Sequence, residues 1–152
     1  MQIRKSKEEI IAALKNAGFR ITRQRMAIIG FIAGREDHPS ARQILDQLKS
    51  GEHISFATIY NTLKTLVDLE LIKEIDFEHA ENRYDTNLTP HLNLVCVRCA
   101  SIEDIDIELP VSPAEISRKS NFKTMSYRLE FMGLCAKCAT GEIIKFDSAP
   151  PR

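Results

Sequence analysis

Asp85-Thr-Asn-Leu-Thr-Pro90-His91-Leu-Asn93-Leu-Val-Cys96-Val-Arg-Cys99-Ala-Ser-Ile-Glu-Asp104 is the stretch at which the character of the chain changes. A polar run around Pro90 gives way to a short apolar strand and then to a Cys-x-x-Cys knuckle. A second knuckle, Cys135-Ala-Lys-Cys138, follows after a gap of 35 residues. Four thiolates in two such pairs suit tetrahedral zinc with no open position, which is a structural site. The gap exceeds that of an ordinary zinc ribbon, so the metal is expected to staple the ends of a small domain. The alternatives for these cysteines are buried thiols or a thioredoxin-like redox pair, but no βαβ pattern surrounds them. Asp85, His91, Asn93 and Asp104 form a second set of possible ligands around the first knuckle.

A chain of 152 residues is one domain or two small ones. Hydrophobic residues make up 43% and charged residues 28%, the balance of a soluble globular protein. No run approaches the roughly 18 apolar residues of a membrane span. The N-terminus has no apolar signal region, so a cytoplasmic location is expected. In a reducing compartment paired cysteines read as metal ligands before disulfides. Net charge is zero but uneven: residues 1–25 carry seven Lys or Arg against two Glu. Such an edge suits phosphates or is simply a solvated helix face.

Ser6-Lys-Glu-Glu9 is a capping box. Behind it Ile10, Ala13, Leu14 and Ala17 recur at helical spacing up to a stop at Gly18. Thr22 caps a second predicted helix, with Met26, Ile29 and Ala33 along one side and Gly34 at its end. Ser40-Ala-Arg-Gln43 is another capping box, and its helix buries Ile44, Leu45 and Leu48. Ser55 opens a fourth helix with Ile59, Leu63, Leu66 and Val67 inward. Leu71 to Glu78, a turn at His79–Asn82, and Arg83-Tyr84 read as a hairpin.

Helices followed by a hairpin make a winged helix. The fourth helix is its natural recognition helix, because Thr58, Asn61, Thr62 and Thr65 point outward beside Tyr60 and Lys64. Such side chains reach base edges in a major groove. The alternative is a plain amphipathic helix in a bundle.

Beyond the polar run, Leu92–Cys96 reads as a strand. Ile102–Leu109 alternates, with Ile105, Ile107 and Leu109 on one face. Ser112-Pro113-Ala-Glu115 opens a short helix. Phe122–Met132 alternates again, Ile143–Phe146 reads as a last strand, and the tail from Asp147 is loose. The fold class is therefore α+β: a winged helix over residues 1–84, a hinge at 85–90, and a small zinc-stapled α/β domain over 91–152. A core of that size calls for a metal staple and a partner subunit.

Together these features resemble the ferric uptake regulator family of metal-dependent transcription factors. The resemblance rests on Gly18-Phe-Arg20-Ile-Thr22-x-Gln24-Arg25, His38-Pro39-Ser-Ala41, Ser55-Phe-Ala57-Thr58-Ile-Tyr60-Asn61-Thr-Leu63, Arg83-Tyr-Asp85 and the two Cys-x-x-Cys pairs. It implies structural Zn(II) at Cys96, Cys99, Cys135 and Cys138. It implies a regulatory Fe(II) or Mn(II) at His38, Asp85, His91, Asn93 and Asp104, between the domains. It also implies a homodimer on inverted-repeat, double-stranded DNA, with no membrane and no catalysis. Arg20 matches a residue that enters the minor groove, and Tyr60 and Asn61 match a base-reading pair. Ser55, Thr58 and Lys64 complete the expected DNA-facing set.

Asp85, Asp104 and Asn61 resemble the peroxide-responsive branch. There, bound Fe(II) reacts with peroxide and oxidises a ligand histidine, which releases DNA; His38 and His91 match those histidines. One position departs: residue 93 is His in most of the family and Asn here, and an amide oxygen is the weaker ligand for Fe(II). The alternatives left open are loose metal binding, a harder ion such as Mn(II), another metal-responsive repressor, and an impaired switch. The family's auxiliary surface site looks absent, since Pro90 and Met125–Tyr127 offer no histidine. A rival class is a zinc enzyme, but neither His-Glu-x-x-His nor His-x-Glu occurs, and four cysteines close the metal. A redox switch acting through the Cys pairs themselves is a second rival.

Overall fold

The computed structural model describes residues 4–51, 53–76, 81–107, 112–124 and 129–140. The chain splits into two compact units, Met1–Pro90 and His91–Arg152.

In the first unit four helices follow one another: α1 (Lys7–Asn16), α2 (Arg23–Ile32), α3 (Ala41–Leu48) and α4 (Phe56–Asp68). Each begins where a hydroxyl side chain accepts an otherwise unpaired N–H of the first turn: Ser6 from Glu9, Thr22 from Arg25, Ser40 from Gln43 and Ser55 from Thr58. At Ser6 and Ser40 the acidic or amide side chain three residues on returns the bond, completing both predicted capping boxes. Gly18 (φ +82°) and Gly34 (φ +73°) take the left-handed conformation that ends the first two helices cheaply.

The helices enclose one core of Ile10, Leu14, Ile28, Ile29, Ile32, Ile44, Ile59, Leu63 and Leu66, all fully buried. Three positions depart from the sequence reading. Met26 is 44% exposed, because Ile28, Ile29 and Ile32 supply the inward stripe of α2 instead. Ala17, a C-cap, is exposed. Thr62, expected to face outward, is 3% exposed and returns its hydroxyl hydrogen to the Thr58 carbonyl at 2.8 Å. A β-branched side chain whose hydroxyl is satisfied by its own helix packs as an apolar residue.

β1 (Lys73–Ile75) and β2 (Arg83–Asp85) pair antiparallel, with Ile75 opposite Arg83. The predicted turn residues His79 and Ala80 lie outside the described residues. The segment expected to act as a hinge, 85–90, bonds to the first unit: Thr86 donates to the Arg35 carbonyl, Asn87 bridges Arg4, and the Lys73 ammonium reaches the Leu88 and Thr89 carbonyls.

The second unit is a three-stranded sheet in the order β4 (Ile102–Ile105), β3 (Leu92–Cys96), β5 (Glu130–Gly133). β3 and β4 are antiparallel, whereas β3 and β5 are parallel. A parallel neighbour needs a long crossover, and α5 (Pro113–Lys119), capped by Ser112, lies within it. The alternation predicted to run to Leu109 stops as a strand at Ile105, and Ile107 is 46% exposed. The alternation predicted from Phe122 yields a strand only from Glu130; Phe122 is 72% exposed. Residues 125–128 and the expected strand and tail from 143 onward are not among those described. No helix among the described residues is long and apolar enough to cross a membrane.

Candidate metal centres

The parallel pairing of β3 and β5 explains how cysteines so distant in sequence converge. Cys96 ends β3 opposite Gly133 of β5, so both chains turn into their knuckles at the same end of the sheet. All four sulfurs lie within 4.8 Å of one another, and Cys99 Sγ and Cys135 Sγ are 3.7 Å apart. A tetrahedron with Zn–S bonds of ~2.3 Å has edges of about 3.8 Å, so the four fit a closed zinc. Arg98 locks one knuckle to the other by donating to the Cys138 carbonyl at 2.6 Å. The backbone also prepares the charge. The N–H groups of Cys135 and then Cys99 hold the Cys96 thiol down at about 6. Loss of water, followed by competition from the other thiols, pushes Cys138 up to about 12. The backbone N–H groups thus favour the charged form at Cys96 and Cys135, and loss of water opposes it at Cys138, where a bound cation would supply the balance.

The remaining predicted ligands fall into two groups, one in each unit. In the first, His38 Nε2 lies 3.6 Å from Asp85 Oδ1, with both side chains buried. Asp85 ends β2 and its Oδ1 also accepts the Asn87 N–H at 2.6 Å. His38 sits in the loop between α2 and α3 at φ +47°. That conformation costs a non-glycine residue about 1–2 kcal/mol, and the following Pro39 disfavours it further.

In the second unit His91 Nε2 lies 3.6 Å from Asp104 Oδ1, again with both side chains buried. Here the sheet register does the positioning. Asn93 is the direct cross-strand partner of Asp104, which brings such side chains within about 5 Å. His91 is two residues earlier and shares the face of Asn93. The Asn93 side-chain oxygen lies 3.1 Å from His91 Nε2. Metal–N and metal–O bonds of ~2.1 Å put neighbouring donors about 3.0–3.4 Å apart, so each group has close to the spacing of adjacent ligands. Imidazole with carboxylate is a donor set for Fe(II), Mn(II) or Zn(II).

On α4, Tyr60 is 47% exposed and Asn61 and Lys64 are exposed too, whereas Ser55 and Thr58 are engaged with each other as cap and capped. Arg20 is exposed in the loop before α2, where the Arg25 guanidinium grips its carbonyl at 2.8 Å and covers the Phe19 ring. Sequence reasoning overlooked Asn87, which is fully buried and accepts from the Thr89 N–H. Arg83 carries no role in the expected site. In that strand, Arg83 is two residues before a ligand candidate and shares its face, a signal the period of two supplies.

The profile of the ferric uptake regulator family matches residues 16–132. The chain belongs to this family. The peroxide-responsive repressor PerR of Staphylococcus aureus (strain Mu50 / ATCC 700699) is 35% identical over 136 residues, covering 86% of this chain and 90% of the relative. Among solved structures, the Vibrio cholerae ferric uptake regulator is 26% identical with a TM-score of 0.68, covering 82% of this chain and 98% of that one. A zinc-bound manganese uptake regulator is 27% identical with a TM-score of 0.62, over 86% of this chain and 99% of that one. The Helicobacter pylori ferric uptake regulator, 19% identical with a TM-score of 0.72 over 94% of this chain and all of the other, shares the fold. As a member of the ferric uptake regulator family, the protein is a metal-responsive transcriptional repressor and not an enzyme. That sets aside the zinc-enzyme reading, with which the closed four-sulfur cluster also disagrees.

Proposed function

We propose that this family member is a homodimeric DNA-binding repressor that senses peroxide through Fe(II), with Mn(II) as the unreactive substitute. In this reading His38, Asp85, His91, Asn93 and Asp104 hold one regulatory ion, and Cys96, Cys99, Cys135 and Cys138 hold zinc. The observation that carries it is the pair of buried His–Asp contacts, one in each unit, both at 3.6 Å. Neither group alone fills a coordination sphere of five or six donors. One ion taking donors from both would come closer to filling that sphere, and metal shifts the DNA-binding equilibrium by its differential affinity for the competent state. The two carboxylates neutralise a divalent charge. Fe(II) held by these residues would supply the reductant for peroxide, and oxidation of His38 or His91 would cost the site an imidazole donor. The 35% identity to a peroxide-responsive repressor supports the same reading.

The first unit then acts as a winged helix over residues 1–84. Exposed Tyr60, Asn61 and Lys64 on α4 meet the major groove, Arg20 the minor groove, and Ser55 and Thr58 complete the DNA-facing set. The second unit, 91–152, acts as the dimerisation domain. Its described apolar residues support this: Phe122, Phe131 and Met132 are 72%, 60% and 58% exposed, while only Leu92, Val95 and Cys96 are buried. A cytoplasmic location goes with a DNA-binding role.

Asn93 favours a second reading, a repressor that answers metal and not peroxide, because its side-chain oxygen occupies His91 Nε2 at 3.1 Å. The separating experiment is oxygen-free binding of inverted-repeat DNA by the Fe(II) and Mn(II) forms, before and after hydrogen peroxide. The peroxide reading expects release from the Fe(II) form alone; retention by both forms supports the second reading.

A further inference from the structure

Arg83 makes a two-point clamp that the functional reading does not use. Its Nη1 donates to the His38 carbonyl at 3.3 Å and to Gln43 Oε1 at 2.8 Å. The same loop is pinned to β2 by its backbone: the Tyr84 N–H donates to the Pro39 carbonyl at 3.1 Å, and Ser40 bridges Arg83. Ser40 further donates to Glu81 at 2.7 Å, and Arg42 closes the circuit on the other Glu81 oxygen at 2.8 Å. These bonds tie the loop holding His38 in its unfavourable left-handed backbone, and the first turn of α3 behind it, to β2 and the residue Glu81 before it, and Asp85 lies two residues along the clamping strand.

We propose that Arg83 is a positioning residue that couples the regulatory ligand His38 to the β1–β2 hairpin. The inference rests on the assignment of His38 and Asp85 as ligands made above. A left-handed residue before proline relaxes unless its surroundings over-determine it. Nη1 of Arg83 serves both acceptors with its two hydrogens, whose directions the planar guanidinium fixes, whereas an ammonium on a flexible stem sets no such directions. The loop conformation that presents His38 beside Asp85 is therefore the one in which β2 is clamped. Linkage is reciprocal: metal that favours the clamped state steadies the hairpin, and a hairpin that holds the clamp raises metal affinity. The hairpin is the wing in the proposed DNA complex, so the ion acts on DNA through the wing.

The test uses the full, zinc-loaded chain without oxygen, as wild type, Arg83→Met, Arg83→Lys and His38→Ala. Free Mn(II) is measured by electron paramagnetic resonance, and DNA affinity by fluorescence anisotropy with and without saturating Mn(II). Arg83→Met is expected to weaken Mn(II) binding about 10-fold or more, the range for groups that orient ligands. It should also shrink the ratio of Mn(II)-loaded to Mn(II)-free DNA affinity, and leave the Mn(II)-free melting temperature near wild type. Arg83→Lys should fall between, and it decides the question if the methionine variant does not fold. Wild-type Mn(II) affinity in either folded Arg83 variant, with affinity lost in His38→Ala, overturns the clamp and spares the ligand assignment. A lower metal-free melting temperature with an unchanged DNA-affinity ratio makes Arg83 merely structural and also overturns the clamp. Wild-type Mn(II) affinity in His38→Ala overturns the ligand assignment itself.

Discussion

Asn93→His should tighten Mn(II) and Fe(II) binding about 10-fold or more, and its two parts can be reckoned separately. Asn93 Oδ1 lies 3.1 Å from His91 Nε2, the same nitrogen that lies 3.6 Å from Asp104. Where Nε2 carries the proton this contact is a hydrogen bond, and ligation, which needs the Nε2 lone pair, would have to displace it. A neutral hydrogen bond of this kind has a net value of about 1 kcal/mol, which is roughly 5-fold in affinity. Asn93→Ala, which removes the competing bond and adds no donor, should gain at most that factor if Asn93 does not ligate, and should lose affinity if it does. Histidine removes the bond and adds an imidazole where only a neutral amide oxygen stood, giving the remainder. The assay is an oxygen-free Mn(II) titration read by the resonance of free ion, with zinc content checked for each variant. Equal affinities for wild type and Asn93→His would refute the placing of residue 93 at the metal.

Cys96→Ser should lose zinc and with it the dimer, since metal binding of this kind is itself folding free energy; a zinc-free dimer of native size in gel filtration would contradict this. Arg20→Ala should weaken DNA binding broadly and reduce its salt dependence, whereas Asn61→Ala should relax base choice at one position per half-site by about 1–3 kcal/mol; anisotropy on matched and scrambled duplexes separates the two. Thr62→Val should leave DNA affinity unchanged and alter stability by no more than about 1 kcal/mol, because Thr62 is 3% exposed and its hydroxyl donates to a carbonyl of its own helix; urea unfolding and the same duplexes test both halves.

The helices were legible because their signals are local. Ser6, Thr22, Ser40 and Ser55 each cap the helix they were expected to open. The four cysteines were legible because knuckle spacing is a property of metal chemistry. Thr62 was misjudged because a threonine on a helix flank is polar by type and apolar in effect once Thr58 takes its hydroxyl hydrogen. Met26 was misjudged because Ile28, Ile29 and Ile32 between them fill the inward stripe of α2. The parallel pairing of β3 with β5 was out of reach, since a crossover leaves no local mark, yet it brings the knuckles together. The clamp at Arg83 was hidden for the same reason: its partners His38 and Gln43 are 45 and 40 residues away.

The most direct test of the account follows DNA release and ligand chemistry in one sample. The Fe(II)-loaded and Mn(II)-loaded dimers are bound to an inverted-repeat duplex without oxygen and given stoichiometric hydrogen peroxide. Anisotropy is then recorded, and peptides containing His38 and His91 are weighed by mass spectrometry. The account predicts that the Fe(II) form leaves DNA as one of those histidines gains an oxygen atom, while the Mn(II) form stays bound with both histidines intact. Release from DNA with both histidines unmodified, or no release from the Fe(II) form, would contradict it.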